Sequence, residues 1–234
     1  MTIARRFLLL AGVSSAMPAA AQARYRQIQA SPDGTGKVYM DREIAGVMGW
    51  QGAAWLERAE RAREEGAGQL VRELRLAPGM AVADVGAGTG YYARRIAAAV
   101  APGLVYAVDI QPELLAMVEH LARRDGLANI RPVQAGEQVT NLPPASIDLA
   151  LLVDVYHELA FPYEAMQDVV RALRPGGRVA LVEYRAEDPK VPIKALHKMS
   201  QAQVLREMAP HGLAHERTAG TLPWQHLLVF RKPG

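Results

Sequence analysis

The sequence predicts an α/β fold with a mostly parallel, doubly wound sheet. Short apolar segments alternate along the chain with longer segments of helical periodicity, as in repeated βα units. The apolar segments show little polar alternation, which is typical of parallel strands that are covered on both faces. A glycine-rich turn follows the first of these segments. The five predicted strands span residues 81–85, 104–108, 130–134, 147–153 and 178–183.

The first predicted strand leads directly into a glycine turn and a helix. Gly86, Gly88 and Gly90 follow the strand, and an Ala- and Arg-rich segment over 91–100 predicts the helix. Glycines suit this position because a Cβ atom would obstruct both a tight turn and the close approach of a ligand to the backbone. Strand, glycine turn and helix in this order open nucleotide-type α/β folds.

The glycine spacing and the acid before it indicate the kind of ligand. The pattern is G-x-G-x-G, and Tyr91 stands where a dinucleotide fingerprint has its last glycine. Asp84, near the end of the strand, is a poor neighbour for a pyrophosphate but suits a cation. The segment 84–90 resembles motif I of the class I S-adenosylmethionine (SAM) dependent methyltransferases. SAM carries a sulfonium and an ammonium, so the resemblance implies that Asp84 and the three glycines bind it as cofactor.

The same resemblance implies contacts to the nucleoside. Asp109 ends the second strand about 20 residues beyond Gly90, and an acid at this distance bonds ribose hydroxyls in nucleotide folds. The resemblance implies that Asp109 binds both ribose hydroxyls of SAM and that Ile110 packs against the adenine. Glu137 and Gln138, after the third strand, are implied to contact the adenine as well. Pro132 within that strand favours an edge position in the sheet.

Polar side chains follow the fourth predicted strand. In open α/β sheets ligands bind outside the carboxyl ends of the strands. We therefore expect Asp154, Tyr156, His157 and Glu158 to face the site of methyl transfer, with Asp154 among the SAM-binding residues. The segment Leu-Arg-Pro-Gly-Gly over 173–177 precedes the fifth strand and matches a late motif of the same family.

Methyl transfer from a sulfonium needs mainly alignment, and a base is needed only when the acceptor carries a proton. His157 is the candidate base, with Glu158 or Glu183 orienting its imidazole and Tyr156 as a further catalytic candidate. The alternative is that His157 packs against or caps the next helix. Glu183, Tyr184 and Arg185, which end the fifth strand, are candidates for acceptor recognition.

The segment after the fifth strand has no clear period over residues 184–198, and long loops in compact domains are often functional. His197 and Lys198 in this segment are candidates to close over the acceptor. The sequence predicts no metal site, because His157, Glu158, His197 and His226 lack a metal-ligand spacing. These side chains could bind a metal ion only if folding brought them together.

The end of the chain predicts a helix and two strands. Ser200-x-x-Gln203 is typical of a capping box for a helix that runs to about Ala209. Strands are predicted over 212–217 and 225–231. The resemblance implies that they complete a seven-stranded sheet with an antiparallel final strand, and it covers roughly residues 68–233.

The beginning of the chain predicts a signal peptide over residues 1–23. Arg5-Arg6 precedes a short apolar run, and an Ala-x-Ala site ends at Ala23. The apolar run is too short for a transmembrane helix, and the paired arginines resemble a twin-arginine signal. We therefore expect an exported, periplasmic protein, with a cytoplasmic enzyme that carries an N-terminal extension as the alternative.

Residues 24–67 are predicted to form a flexible or wrapping arm over 24–41, followed by helices that cap the cofactor pocket, including a helix over 58–76. The alternative is that this leading helix packs over the edge of the sheet. Residues 68–234 are predicted to form the SAM-binding domain. The chain of 234 residues, 50% hydrophobic, is long enough for one domain with a proper core.

The composition and charge of the chain limit the kinds of partner that we expect. The net charge is +3, of which two charges lie in the predicted signal peptide, and no Lys or Arg run is interleaved with aromatic residues. We therefore expect no nucleic-acid partner and no membrane contact beyond the leader. The absence of cysteine excludes thiolate metal ligands and cysteine nucleophiles.

The leading hypothesis is a SAM-dependent methyltransferase that acts on a small-molecule acceptor. One alternative is an NAD(P)-dependent reductase on the same sheet, which Tyr91 and the lack of a Tyr-x-x-x-Lys pair oppose. The other is a catalytically silent SAM-binding protein, which the predicted leader motivates.

Overall fold

The computed structural model describes residues 24–234, so the predicted signal peptide over 1–23 lies outside the described residues. The strands are β1 (Tyr25–Gln27), β2 (Gly34–Tyr39), β3 (Arg42–Ala45), β4 (Val82–Val85), β5 (Val105–Asp109), β6 (Ile130–Gln134), β7 (Ile147–Val153), β8 (Leu173–Arg185), β9 (Lys198–Met199), β10 (Ala214–Ala219) and β11 (Gln225–Arg231). The helices are α1 (Ala53–Leu56), α2 (Arg61–Glu64), α3 (Ala67–Glu73), α4 (Tyr91–Val100), α5 (Pro112–Arg124), α6 (Pro162–Ala172) and α7 (Gln201–Met208).

The central sheet has the strand order β10-β11-β8-β7-β4-β5-β6. The pairs from β8 to β6 are parallel, whereas β11 runs antiparallel to both β8 and β10. This confirms the predicted mostly parallel sheet of seven strands with an antiparallel final strand. The two-residue strand β9, which was not predicted, pairs with the end of β8. Strand β6 lies at one edge, as Pro132 within it favours.

Helices cover both faces of this sheet, which confirms the doubly wound arrangement. Successive side chains of a strand point to opposite faces, and Leu151 and Leu152 of β7 accordingly belong to two different hydrophobic clusters. The first cluster includes buried residues of α3, α4 and α5, and the second includes buried residues of α6 and α7. Complete burial of one such leucine stabilises the fold by about 1.5–3 kcal/mol.

One half of the predicted capping box is present at the start of α7, since the Gln203 side chain donates to Met40 and Glu207 rather than back to Ser200. The Oγ atom of Ser200 accepts a hydrogen bond from the backbone N–H of Gln203 at 3.1 Å. This bond satisfies one of the free N–H groups of the first helical turn. Helix α7 is thereby fixed at the end of the long segment that follows β8.

The arm over residues 24–41 contains regular strands, which the sequence did not predict. With β3 it forms a three-stranded antiparallel sheet in the order β1-β2-β3. The two residues between β2 and β3, Met40 and Asp41, both have positive φ angles of 44° and 65°, which matches the twist of a tight hairpin. Val38, Tyr39 and Ile44 are buried in the fold. Their burial explains why this sheet forms despite weak polar alternation.

The helix predicted over residues 58–76 is interrupted. Gly66 lies between α2 and α3 with a φ of 64°, a conformation that ends a helix. A Cβ atom at Gly66 would lie 2.8 Å from Cδ of Pro223. The break therefore brings α3 close to the loop before β11, and it turns α2 towards the site described below.

Within residues 24–234, every helix falls short of the length and apolar character that crossing a bilayer requires.

Candidate functional site

A cavity of about 950 Å³ lies at the carboxyl ends of β4, β5 and β7. The turn after β4 and the residues that follow β5 and β7 form its floor. Residues 45–48, after the small antiparallel sheet, and residues 192–194 together with His197 cover it from the other side. Its position agrees with the general placement of ligands in open α/β sheets.

The glycine turn gives the cavity a wall of bare backbone. Gly86 and Gly88 have φ angles of 72° and 56°, which residues with a Cβ atom rarely adopt. A Cβ atom at Gly86 would lie 2.3 Å from Cγ2 of Val155, and one at Gly88 would lie 2.6 Å from Cδ1 of Leu56. Gly86 and Gly88 line the cavity, whereas Gly90, the third glycine of the predicted motif, does not.

Asp84 is a buried acid in this wall, with 3% of its surface exposed. Its Oδ2 atom accepts a hydrogen bond of 2.9 Å from the N–H of Ala93 in the first turn of α4, where a helix favours negative charge. Burial nevertheless raises the pKa of Asp84 to about 7, against the lowering effects of the Ala93 N–H and of Arg61. A cation bound beside Asp84 would relieve the cost of ionising it.

Asp109 both braces the glycine turn and lines the cavity. Its two oxygens accept hydrogen bonds of 2.9 Å from the N–H groups of Gly88 and Gln111. Burial raises the pKa of this carboxyl as well, while these bonds lower it. Ile110 beside it is 41% exposed and lines the cavity. An exposed apolar side chain at this point offers a surface for a flat ring.

The two residues expected at the adenine after β6 differ in position. Glu137 lines the cavity, whereas Gln138 is exposed and is not part of the cavity wall. The Gln138 side chain therefore lies outside the cavity wall, and the expected contact of this corner with the adenine stays a prediction. Val139 beyond it does line the cavity.

Asp154, which follows β7, also lines the cavity and has a strained backbone, with a φ of 52°. Its Oδ2 atom accepts a hydrogen bond of 3.0 Å from Nε2 of Gln225. Its buried Oδ1 atom has no hydrogen-bond partner in the described part of the chain. Burial, followed by the charges of Glu65 and Glu183, raises the pKa of Asp154 well above its usual value. Strained polar residues of this kind are typical of binding sites.

The cavity wall is rich in acidic side chains. Its wall carries seven carboxyl groups and two cationic side chains. A wall with more acidic than basic side chains favours a cationic ligand over a pyrophosphate. The bare glycine turn and the surplus of acid therefore fit a ligand such as SAM, with its sulfonium and ammonium. The acids are Asp33, Glu65, Asp84, Asp109, Glu137, Asp154 and Glu158, and the cations are Arg61 and Lys194.

Arg61 and Glu65 were not predicted as site residues. They are 5% and 1% exposed, and Nε of Arg61 lies 2.8 Å from Oε2 of Glu65. The guanidinium lies 4.2 Å from the ring centroid of Tyr91, and the hydroxyl of Tyr184 donates to Glu65 Oε1 at 3.0 Å. In the sequence this i, i+4 pair has the pattern of a solvated helix face. The break at Gly66 turns it into the cavity instead.

His157 meets three partners at the other end of the cavity. Its Nδ1 atom lies 2.5 Å from Oε2 of Glu183, and its Nε2 atom lies 3.2 Å from Nδ1 of His197. Oε1 of Glu158 lies 3.2 Å from the same Nδ1 atom of His197. Folding thus brings together His157, Glu158 and His197, which the spacing argument had kept apart. His157 is 1% exposed, and these three residues all line the cavity.

Two of the predicted catalytic residues lie behind the cavity wall. Tyr156 is fully buried in the hydrophobic cluster beneath α6 and is not part of the wall, which corrects the expectation that it faces the ligand. The tight turn of residues 156–158 sends its side chain to the opposite side from His157. Glu183 is also fully buried. It contacts the ring of His157 and accepts a bond of 3.0 Å from the N–H of Tyr156, so it is a positioning residue.

Two other predicted candidates, Arg185 and Lys198, brace loops. Arg185 donates to the carbonyls of Leu222 and Gln225 at 2.7 and 2.8 Å, and Nζ of Lys198 donates to the carbonyl of Val191 at 2.6 Å. Neither Arg185 nor Lys198 lines the cavity. His226 is buried in β11, as its position in a predicted strand suggested.

The sequence matches known proteins over this region. Residues 83–181 match a family model described as a methyltransferase domain. The chain is 35% identical over 136 residues to the methyltransferase tpcM of Aspergillus fumigatus, a match that covers 56% of this chain and 40% of that protein. It is 29% identical over 109 residues to the ubiquinone/menaquinone biosynthesis C-methyltransferase UbiE of Ectopseudomonas mendocina, covering 46% of this chain and 43% of that one. The matches thus span about two fifths of the length of these relatives.

The fold is similar to that of solved methyltransferases. A SAM-dependent methyltransferase from Aquifex aeolicus superposes with a TM-score of 0.75 at 22% identity, over 79% of this chain and 99% of that one. The match of residues 83–181 and this likeness agree with the sheet order and with the glycine turn. Residues 83–181 are therefore similar to a methyltransferase domain, and the chain has the fold of the class I methyltransferases.

Proposed function

We propose that the protein binds SAM in the acid-lined cavity and transfers its methyl group to a small-molecule acceptor held in the same cavity. The observation that carries this proposal is the corner formed by Asp84 and the glycine turn. There a buried acid with a pKa of about 7 lies beside bare backbone in a wall with seven carboxyl groups. SAM supplies an activated methyl group when it is bound, so the protein has chiefly to position the reactants.

The chain's own residues then have distinct roles. Asp84 compensates the positive charge of the ligand, Asp109 accepts from its ribose hydroxyls, and Ile110 packs against its base. Asp154 has a free buried oxygen that suits a cationic or hydrogen-bond-donating group. Glu137 contributes further negative charge at the adenine end.

His157 accepts a proton when the acceptor carries one at neutral pH. In the tautomer that we assign, Nδ1–H donates to Glu183 across 2.5 Å, and Nε2, which lies 3.2 Å from Nδ1 of His197, is the atom that accepts the proton. Glu183 thereby fixes the tautomer and the ring orientation, as carboxylate partners of functional histidines do. This arrangement supports Glu183 as the partner of His157, one of the two candidates considered from the sequence.

The size of the cavity and the residues over it support a small-molecule methyl acceptor. Residues 45–48 and 192–194 roof a volume of about 950 Å³, which is in the upper range for small-molecule pockets. The roof is tied down at several points. Nζ of Lys194 contacts Asp33 at 2.5 Å, and the N–H of Met48 donates to Glu158 at 3.3 Å. We further propose that the mature protein is exported, on the basis of the leader alone.

The test is the release of S-adenosylhomocysteine by purified protein supplied with SAM and a panel of hydroxyl, amine, thiol and carbon acceptors. Mass spectrometry of ligands that remain bound through purification narrows the panel. We expect turnover with at least one acceptor. We also expect Asp84→Asn to weaken SAM binding by about tenfold or more, equivalent to about 1.4 kcal/mol. Glu119→Gln, an exposed change on α5, is the matched control.

Two results would oppose the proposal. SAM binding without product on any acceptor would favour the silent SAM-binding protein. If the Asp84→Asn variant binds SAM as tightly as the wild type, the charge of Asp84 does not contribute to SAM binding.

A further inference from the structure

Three potential metal ligands converge at the end of the cavity where His157 lies. Nε2 of His157 is 3.2 Å from Nδ1 of His197 and 3.8 Å from Oε1 of Glu158, and the last two atoms are 3.2 Å apart. One possible ligand atom of each residue lies within 4.8 Å of those of the other two. Bonds of about 2.0–2.2 Å from these atoms to Zn²⁺ place neighbouring ligand atoms about 3.0–3.5 Å apart. An ion therefore fits between them with only small side-chain movements.

The ligand atoms contact one another, and other atoms of His157 and Glu158 are held by residues outside the cluster. Nδ1 of His157 is engaged by Glu183, and the carbonyl of His157 accepts a bond of 3.0 Å from Arg42. Oε2 of Glu158 accepts from the N–H of Met48 at 3.3 Å, so that Oε1 remains for another partner. The rings of His157 and His197 meet edge to face, with their centroids 5.1 Å apart.

The Glu183 contact is itself typical of a metal site. A ligating histidine almost always donates its second ring N–H to a carboxylate or carbonyl, which orients the ring and raises its basicity. Glu183 is fully buried and lies 2.5 Å from Nδ1 of His157. Two imidazoles and one carboxylate suit first-row transition metals rather than Mg²⁺ or Ca²⁺, which prefer oxygen ligands only.

We propose that His157, Glu158 and His197 bind one divalent first-row transition-metal ion. All three residues line the cavity, so the remaining coordination positions of the ion are open to a ligand with an oxygen donor, such as a hydroxyl, enol or carboxylate group. This substrate-positioning role rests on the proposed methyl transfer, whereas metal binding itself does not. With the ion bound, Nε2 of His157 is a ligand and no longer a base. A coordinated acceptor hydroxyl then loses its proton to solvent water more readily, because the ion stabilises the oxyanion.

The test uses the full chain without a polyhistidine tag, freed of metal by chelation and then dialysed against Zn²⁺ or Co²⁺. Bound metal is measured by inductively coupled plasma mass spectrometry, and the Co²⁺ form by its visible absorption. We expect one ion per chain and a Co²⁺ spectrum that changes when His197 is replaced by alanine. His197→Ala and Glu158→Gln are expected to lower metal affinity at least tenfold. The control is His120→Ala, since His120 is exposed on α5 and should leave affinity unchanged.

Several outcomes would overturn the inference. The first is that the wild type binds much less than one ion per chain, and the second is that His197→Ala binds metal as tightly as the wild type. The third is a loss of metal affinity in the His120→Ala control as large as that in His197→Ala. Circular dichroism and melting temperature of each variant show whether a loss reflects misfolding, and Glu158→Gln then serves as the milder second variant. SAM calorimetry on the metal-free protein separates the two proposals. SAM binding without metal binding refutes this inference alone, whereas metal binding without SAM binding refutes the proposed function.

Discussion

Replacing Asp84 by asparagine should stabilise the protein while weakening its binding of SAM. Burial raises the pKa of Asp84 from 3.8 to about 7 in the folded chain. Asparagine has nearly the same shape, carries no charge at any pH, and can still accept the hydrogen bond from the N–H of Ala93. The substitution therefore removes the cost of ionising a buried carboxyl and leaves the local geometry in place.

The sign and the size of the effect follow from the shift. Because the folded state holds the Asp84 proton more tightly than the unfolded state, the free energy of unfolding falls as pH rises from about 4 to about 7. A shift of roughly 3 units corresponds to about 4 kcal/mol at 1.36 kcal/mol per unit, and this is an upper value. The penalty is absent near pH 4 and complete above pH 7. Asp84→Asn should therefore gain up to this amount at pH 8 and almost nothing at pH 4.

Urea unfolding of both proteins at pH 4, 6 and 8 measures the difference. The expected result is a gap between variant and wild type that widens with pH. A gap that does not change with pH, or a variant that is less stable than the wild type at pH 8, would refute the assignment of a buried, proton-retaining acid. SAM affinity of the wild type should rise as pH passes upward through 7, because the cation needs the ionised form. The variant should lack that rise.

Gly86→Ala should lower the free energy of unfolding more than Gly126→Ala does. Both glycines have positive φ and share a strain of about 1–2 kcal/mol, but only at Gly86 does the new Cβ atom meet a neighbour. Equal losses in thermal unfolding would contradict this. Arg42→Met should lower the free energy of unfolding in urea by about 3–5 kcal/mol, because it leaves the fully buried Glu207 without its bidentate partner. A loss below about 1 kcal/mol, which is typical of an exposed ion pair, would contradict this prediction. Glu183→Gln should slow methyl transfer by about 10- to 100-fold through the orientation of the active-site histidine, with SAM affinity in calorimetry unchanged. An unaltered rate would remove its positioning role.

The central sheet was predictable because its strands are buried on both faces. A short continuous apolar run such as residues 147–153 is typical of a buried strand of a parallel sheet. The structure has a strand with the same bounds. The small sheet before it was not predictable. Strand β2 has the sequence Gly-Thr-Gly-Lys-Val-Tyr, with apolar residues only at its end. Its stability comes from burial against the rest of the chain, which no local pattern reveals.

The candidate site was predictable where it follows a strand and unpredictable where distant segments meet. Asp84, Asp109 and Asp154 end or follow strands, and all three line the cavity. His197 reaches His157 from 40 positions further along the chain, because the two-residue strand β9 docks beside the end of β8. Arg61 enters the site through a helix break. Neither of these two placements leaves a periodic signal in the sequence.

Isothermal titration of the purified protein with SAM and with NADH tests the central claim most directly, namely that the buried acid and the glycine turn hold a positively charged ligand. The expected result is saturable heat with SAM at one molecule per chain and none with NADH. Heat with NADH alone would contradict the claim. A pyrophosphate would then occupy the corner beside Asp84, from which the acidic side chains should exclude it.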